Sequence, residues 1–159
     1  MTEEYYFQFM AAGRSRFVAK TIDSGTASFI EAEKQCDETL ARTLPQGIAT
    51  PNQYFRKIFC TEFGYPVGAI WYGASRDHQN TGYIYDFLIE DKFQRQGYGA
   101  AVMEVIETEL RDHGYEKVRL HVFGNNLGAR RLYDNHGFRE TNVYMEKRLD
   151  TRPQSGAKP

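Results

Sequence analysis

Two glycines separated by a single residue stand where a helix is predicted to begin. In the stretch FQRQGYGAAV, residues 93–102, Gln94 is followed by Gly97 and Gly99. The first backbone N–H groups of a helix lack intrahelical partners, and the helix dipole adds partial positive charge at the same end. Glycines let a ligand approach this backbone without a side-chain clash. The stretch therefore predicts a phosphate or pyrophosphate site, with a plain strand-to-helix turn as the alternative.

This stretch differs from two common nucleotide-binding loops. No Gly-Lys-Ser/Thr sequence follows it, as a P-loop requires. Val102 occupies the position where the third glycine of a dinucleotide-binding fingerprint would fall. The glycines alone therefore leave the kind of ligand open.

A second segment, FGNNLGARRLYDNHGF at residues 123–138, also has ordered spacing. Its first four ordered residues follow helical spacing, and a Gly-Phe pair then turns the chain toward another strand. The ordered residues are Asn126, Ala129, Leu132, Tyr133, Gly137 and Phe138.

Together, the two segments resemble the signatures of the GNAT superfamily, the acyl-CoA-dependent N-acyltransferases. The first signature, Q/R-x-x-G-x-G/A after a central strand, is matched by Gln94, Gly97 and Gly99. The second, N-x-x-A-x-x-L-Y followed by G-F, is matched by the six ordered residues of the second segment. The resemblance covers about residues 55–147. The LPQGIATP loop and the YDF strand also look like a bacterial branch of small-molecule acetyltransferases.

The resemblance implies an acetyl-CoA site. Amides of the glycine stretch are implied to hold the pyrophosphate, and the preceding strand to pair with the pantetheine arm. One N–H of that strand is implied to polarise the thioester carbonyl. Asn126 is implied to bind the cofactor arm or a water; its alternative role is a helix N-cap or turn residue, and the two roles are compatible. The implied cofactor-binding residues are Leu88, Ile89, Gln94, Arg95, Gln96, Gly97, Tyr98, Gly99, Ala100, Asn126, Ala129 and Tyr133.

The implied reaction needs an acid and a base. Tyr133 is implied to protonate the departing thiolate while an amine attacks the thioester directly; the alternative is a packed aromatic whose hydroxyl is bonded elsewhere. For the base, the candidates are Asp86, Glu90 and a water. Asp86 is a carboxylate inside an apolar strand, where it needs a partner, so a structural acid is its alternative. Glu90 reads equally as an exposed charge at the strand end.

Strict alternation along this strand predicts which side chains share a face of the sheet. One face would hold Tyr83, Tyr85, Phe87 and Ile89, and the other Ile84, Asp86, Leu88 and Glu90.

The elements that must position these residues have an α/β order. Periodicity and turn residues predict a first helix from Thr2 until its pattern fades at DSG, residues 23–25, and further helices over 26–43, 99–113 and 127–136. They predict strands over 54–62, 65–73, 83–91, 117–124 and 138–149, with a loop at 44–53 and a turn at 63–64. The unit at 83–123 requires a parallel crossover. The resemblance implies a mixed central sheet with splayed parallel strands flanked by helices, in which the family's usual first strand is missing or replaced.

Length and composition bound the remaining possibilities. A chain of 159 residues predicts a single domain over 1–150, followed by a flexible tail at 151–159. The hydrophobic fraction of 41% excludes a disordered chain. A net charge of −1 argues against nucleic acid or anionic membrane as partners. Cys36 and Cys60 fit neither a disulfide framework nor a metal motif, and the four histidines lack metal-ligand spacing. No metal, no signal peptide and a cytoplasmic location are expected.

The expected function is an N-acetyltransferase that moves acetyl from acetyl-CoA to a primary amine of a small molecule. Aromatic and acidic residues in the first two helices favour a cationic acceptor such as a polyamine, amino acid or aminoglycoside. A protein or peptide N-acetyltransferase is one alternative, and a non-catalytic acyl-CoA-binding module is another. The family also makes a homodimer plausible. The residues behind the acceptor preference are Tyr5, Tyr6, Glu31 and Glu38.

Overall fold

The computed structural model of the chain describes residues 1–62 and 64–147. Two short 3₁₀ turns, at Gly47–Ala49 and Asp91–Phe93, lie in the connections. The longer elements, in chain order, are α1 (Glu3–Asp23), α2 (Phe29–Thr43), β1 (Gln53–Phe59), β2 (Pro66–Ala74), β3 (Thr81–Ile89), α3 (Tyr98–Asp112), β4 (Lys117–Leu120) and α4 (Leu127–Asn135).

The two N-terminal helices begin at side-chain caps. At α1, Thr2 Oγ1 accepts a hydrogen bond from the Tyr5 N–H, and at α2, Ser28 and Glu31 form a capping box. Both predicted helices are confirmed, and α2 begins slightly later than expected because Ser28 occupies the cap. Among the described residues, no strand precedes α1.

The four strands form one mixed sheet in the order β1-β2-β3-β4. β1, β2 and β3 are antiparallel neighbours, while β3 and β4 are parallel and joined through α3. Residues 67–73 of β2 are all buried, because α1 and α2 cover one face of the sheet and α3 covers the other. The mixed α/β class and the parallel crossover are confirmed.

β3 carries a β-bulge in its middle. Tyr72 of β2 pairs with Ile84, but Trp71 pairs with Asp86, so Tyr85 is left without an opposite residue. An extra residue of this kind rotates the side chains that follow it relative to strict alternation.

The bulge overturns the predicted faces of β3. Asp86 lies on the same side as Tyr85, facing α1, where its Oδ2 is 2.7 Å from Arg16 Nη2. Phe87 and Ile89 instead pack against the core cluster beneath α3. The alternation assigned Asp86 to the opposite face from Tyr85 and was wrong, because period-2 counting cannot include an unpaired residue.

β3 and β4 pair only over their first halves. Their ladder runs from Thr81 opposite Lys117 to Ile84 opposite Leu120 and then stops. β4 therefore ends earlier than the predicted 117–124, and the second half of β3 has no strand neighbour on this side among the described residues. The splayed parallel strands that the resemblance implied are confirmed.

The final strand predicted over 138–149 is wrong for its described part. Residues 138–147 form no strand, while 148–149 and the predicted tail at 151–159 lie outside the described residues. All side chains from 139 to 147, here called the C-terminal arm, are exposed. The local pattern predicts a strand but cannot supply the neighbouring edge that a strand needs.

Candidate active site

The glycine loop, residues 94–100, presents backbone amides at the start of α3. Gly97 is the N-cap in a left-handed conformation with φ of +88°, and no side chain caps the helix. The first bond to a cap or helix carbonyl runs from the Ala101 N–H to the Gly97 oxygen, at 3.1 Å. Within the described part of the chain, three amides lack such a partner and suit an anion. They belong to Tyr98, Gly99 and Ala100.

Gln94 and Arg95 shape the entry to this loop. The Gln94 side-chain amide donates to the Ile89 carbonyl at 2.9 Å and to Asp91 Oδ1 at 2.8 Å, tying the loop to the end of β3. Arg95 has a φ of +63°, an uncommon conformation for a residue with a side chain. The side-chain amide of Gln94 therefore holds the loop in position, because both of its hydrogen bonds are made within the protein.

A cavity of about 880 Å³ opens between the splayed strands. It is bounded by the glycine loop, α1, α2, α4 and the segment that follows β4. Most of the predicted site residues line it: Asp86, Leu88, Ile89, Gln94, Arg95, Gly97, Gly99, Ala100, Asn126, Ala129 and Tyr133.

Three predicted residues lie outside the cavity lining. The Tyr98 hydroxyl donates to Cys60 Sγ at 3.1 Å, and the Gln96 side-chain amide donates to the Lys92 carbonyl at 2.9 Å. Glu90 lies beside Lys92, with 3.3 Å between its Oε2 and the lysine Nζ. Tyr98 therefore contributes only its backbone amide to the three open amides of the glycine loop. Glu90 lies away from Tyr133.

Asn126 caps α4 and also lies at the cavity. Its Oδ1 accepts the Ala129 N–H at 3.2 Å and caps α4, while the residue also lines the cavity. Gly99 lets α3 and α4 approach, since a Cβ there would lie 3.2 Å from Leu132 Cδ2. The two motifs therefore meet at one wall.

Tyr133 projects from α4 into this cavity. Within the described ranges its hydroxyl makes no hydrogen bond. Burial, followed by the negative charge of Asp86, raises the pKa of Tyr133 to about 12. The phenol therefore stays protonated at neutral pH, which is the state that a proton donor requires.

Asp86 is held in the cavity by α1. Its side chain is 26% exposed, and burial raises the pKa of this carboxyl while Arg16 opposes the rise. Gly13 makes the close approach possible, because a Cβ at that position would lie 2.6 Å from Asp86 Oδ2. The sequence gives no signal for Arg16, which is separated from Asp86 by 70 residues and belongs to no motif.

Aromatic side chains line the half of the cavity that faces α1 and α2. Trp71 stacks on Tyr85 with 4.5 Å between ring centroids, and Tyr83 lies 4.7 Å from Tyr85. His121 lies 5.0 Å from Phe123 on the strip that follows β4, and burial lowers the pKa of this histidine. Sequence reasoning did not assign Trp71 or His121 to the site. Trp71 lies opposite Asp86 on the neighbouring strand, and His121 directly follows the point where the β3–β4 pairing ends.

Residues 1–62 and 64–147 lack two further features. No cluster of three or more His, Cys, Asp or Glu side chains in these ranges could hold a metal ion. No helix in the same ranges is long and apolar enough to cross a membrane.

A family model described as the acetyltransferase (GNAT) family matches residues 21–138. The chain belongs to this family. Two uncharacterized N-acetyltransferases of Bacillus subtilis (strain 168) are similar to this GNAT chain over 150 residues. YycN is 29% identical, covering 94% of this chain and 96% of that protein. YdgE is 31% identical, covering 94% and 95%.

The crystal structure of YycN, a putative acetyltransferase by its description, has a similar fold. It superposes with a TM-score of 0.84 at 28% identity, covering 95% of this chain and 96% of that one. A shorter match of 60 residues, 32% identical, is to the [ribosomal protein bS18]-alanine N-acetyltransferase of Escherichia coli (strain K12). It covers 38% of this chain and 40% of that protein.

Family membership supports an acyl-CoA-dependent N-acetyltransferase, with acetyl-CoA as the co-substrate. The geometry of the cavity residues is suited to binding acetyl-CoA. Open amides lie at the start of α3, and within the described residues the second half of β3 has a free edge on the side of β4. A protonated phenol faces the space between them.

Substitution of Gly97 by alanine tests the loop. Gly97 and Gly114 have nearly equal φ values, +88° and +84°, and a Cβ at either position would meet nothing within 4 Å. Alanine should therefore cost roughly 1 kcal/mol of stability at both. We expect G97A to weaken acetyl-CoA binding about tenfold, because the open amides turn away, and G114A to leave it unchanged. Calorimetric titration and thermal unfolding measure both effects; equal losses of affinity would contradict the loop's role.

Proposed function

We propose that this GNAT acetyltransferase transfers the acetyl group of acetyl-CoA directly to a primary amine of a small molecule. The observation that carries the proposal is that Asp86 and Tyr133 line one cavity beside the open amides of the glycine loop. The donor would bind along β3 and the loop, and the acceptor would enter from the side of α1 and α2.

The donor half is supported by backbone groups. The pyrophosphate of acetyl-CoA would accept hydrogen bonds from the open amides at the start of α3, with Arg95 adding positive charge. The pantetheine arm would lie along Leu88 and Ile89, where β3 has lost its parallel neighbour. A β3 N–H would then face the thioester carbonyl and polarise it.

Asp86 and Tyr133 suit the two proton transfers. Asp86 would accept a proton from the ammonium of the acceptor, so that the neutral amine can attack the thioester, a role favoured by the raised pKa of Asp86. Tyr133 would donate its phenolic proton to the departing thiolate as the new C–N bond forms and the C–S bond breaks. Burial, and after it the negative charge of Asp86, raises the pKa of Tyr133, so the proposed base also helps to keep the proposed acid protonated.

The acceptor half favours a small cationic amine. Trp71, Tyr83 and Tyr85 present aromatic rings beside a carboxylate, and aromatic faces attract ammonium groups. A cavity of about 880 Å³ falls in the range of small-molecule sites. These features support a polyamine, an amino acid or an aminoglycoside as acceptor.

A panel of amines tests the proposal. Purified protein with acetyl-CoA is offered polyamines, amino acids and aminoglycosides, and free thiol release is followed together with the mass of the acetylated product. Turnover with at least one small amine is expected. Calorimetric binding of acetyl-CoA without transfer to any amine would instead favour a non-catalytic acyl-CoA-binding module.

A protein or peptide N-terminus is the second candidate acceptor. It is supported by the 60-residue similarity to the bS18-alanine N-acetyltransferase. A short peptide with N-terminal alanine therefore belongs in the panel, with its N-acetylated form as the control. Preference for this peptide over every small amine would replace the small-molecule assignment.

A further inference from the structure

The cavity wall formed by α1 is positively charged. Arg14, Arg16 and Lys20 line the cavity from this helix, whereas α1 and α2, both described throughout, place no carboxylate in the lining. Glu31 and Glu38, which suggest a cationic acceptor in the sequence, instead cap α2 and pair with a neighbouring lysine. A polyamine or an aminoglycoside carries several ammonium groups, and these would meet like charges on α1. The wall therefore favours an acceptor that carries an anionic group beside its amine.

Arg14 is already neutralised by α2. Its Nε and Nη2 atoms donate to the two carboxylate oxygens of Asp37 at 2.8 and 3.0 Å, and its Nη1 atom donates to Glu33 at 2.8 Å. Each nitrogen of the guanidinium is engaged, and two carboxylates surround one cation. Arg14 therefore joins the two helices and has little capacity left for a ligand.

The guanidinium of Arg16 is engaged through only one nitrogen. Within residues 1–62 and 64–147, its single hydrogen bond is the one from Nη2 to Asp86 Oδ2, at 2.7 Å. Its face lies over the Phe9 ring, 5.9 Å from the centroid, which leaves its other N–H groups free. The side chains of Arg14 and Arg16 are both 34% exposed, so the two arginines differ in their partners and not in their burial. The open edge of Arg16 suits the two oxygens of a carboxylate.

The ion pair between Arg16 and Asp86 matches the charges of an α-amino acid. The pair presents a positive and a negative group side by side on the cavity wall. The ammonium and the carboxylate of an α-amino acid are attached to the same carbon, so they also lie side by side. In an antiparallel arrangement each of the four charges contacts an opposite one. A peptide N-terminus lacks this carboxylate, because its first carboxyl group is part of an amide.

Resting on the proposed function, we propose that the acceptor is a free α-amino acid whose carboxylate binds Arg16 while its ammonium contacts Asp86. Phe17 and Trp71 line the same half of the cavity and favour an apolar side chain. One ammonium proton passes to Asp86, one replaces the proton that Tyr133 gives to the thiolate, and the third stays on the amide nitrogen. The products are an N-acetyl amino acid and coenzyme A.

A matched pair of acceptors tests the role of the carboxylate. L-Phenylalanine and L-phenylalaninamide share the amine, the side chain and the stereochemistry, and they differ in the negative charge. Leucine and leucinamide form a second pair. We expect kcat/KM of the wild type to be about tenfold higher for the acid, because the amide cannot accept charged hydrogen bonds from Arg16. An equal or higher kcat/KM for both amides would overturn the proposal and favour peptide N-termini.

Substitution of Arg16 tests where the carboxylate binds. In R16Q the preference for the acid should disappear through a higher KM for the acid, while the Kd for acetyl-CoA stays within about twofold. R16K keeps a positive charge beside Asp86 but lacks the planar fork, so it should also lose most of the preference. Both acceptors are assayed on the same protein, so a loss of folded protein cancels from the ratio. A wild-type ratio in R16Q would overturn the assignment.

R14Q and K20Q are the matched controls. R14Q removes a cation of the same cavity whose nitrogens are all engaged, and K20Q removes one that lies a helical turn further along α1. Both variants should keep the wild-type ratio of acid to amide. Loss of the ratio in K20Q, with the ratio retained in R16Q, would contradict the role of Arg16.

The amine panel separates failure of this inference from failure of the proposed function. Turnover of polyamines or aminoglycosides, with none for any amino acid, would overturn the α-amino acid as acceptor and leave the small-molecule acetyltransferase in place. Transfer to no amine at all would overturn both.

Discussion

Replacement of Tyr133 by phenylalanine is expected to lower kcat on the order of 100-fold while leaving the Kd for acetyl-CoA within about twofold. The phenylalanine keeps the ring that lines the cavity and removes only the proton that the thiolate would receive. Stopped-flow or steady-state assays with the best amine of the panel measure kcat, and calorimetry measures binding.

Two comparisons make the Tyr133 result specific. Y115F removes a phenol that packs against the core cluster away from the cavity, and it should keep wild-type turnover. The pKa of about 12 also predicts that the wild type has no alkaline loss of kcat below about pH 11 from this group. Unchanged turnover in Y133F would remove the proton-donor role.

Replacement of Asp86 by asparagine is expected to lower kcat by about 100-fold, with acetyl-CoA binding retained. The amide matches the carboxylate in size but cannot accept the proton from an ammonium. In the wild type the base must be ionised, so kcat should fall as pH drops through the folded pKa of Asp86. Burial raises that pKa above the ordinary aspartate value, so the acidic loss should begin at higher pH than for an exposed aspartate. This acidic limb should be absent from D86N.

The matched control for Asp86 is His121→Asn. His121 also lines the cavity, and because burial lowers its pKa, its ring is neutral near pH 7 and could accept a proton. If H121N loses turnover and D86N does not, the base is His121, and Asp86 has only the structural role of pairing with Arg16. Thermal unfolding of D86N guards against the loss of that ion pair being mistaken for a chemical effect.

The donor half of the site is predictable because its information is local in the chain. Gln94, Gly97 and Gly99 set the loop and the start of α3, while Asn126 and Tyr133 lie on one short helix. Local spacing determines which of these groups share a surface. A single parallel crossover then brings the two segments together. Most of the predicted binding residues accordingly line the cavity.

The acceptor half depends on contacts that the sequence does not encode locally. Arg16 reaches Asp86 only after α1 packs on the sheet, and Gly13 permits that approach by lacking a Cβ. Glu90 follows the same strand as Asp86 but pairs with Lys92 outside the cavity. The C-terminal arm has strand periodicity, yet it can form a strand only where the edge of a sheet is available to pair with it.

The bulge at Tyr85 also acts as a phase shift in the chain. Every residue of β3 after the bulge faces the side opposite to the one that strict alternation predicts. If the same residues paired without the bulge, Asp86 would face the core beneath α3, where a carboxylate has no partner, and Phe87 would face the acceptor. Deletion of Tyr85 alone would instead leave Asp86 opposite Trp71 and still facing α1. The extra residue therefore lets Tyr85 and Asp86 lie on one side of the same strand.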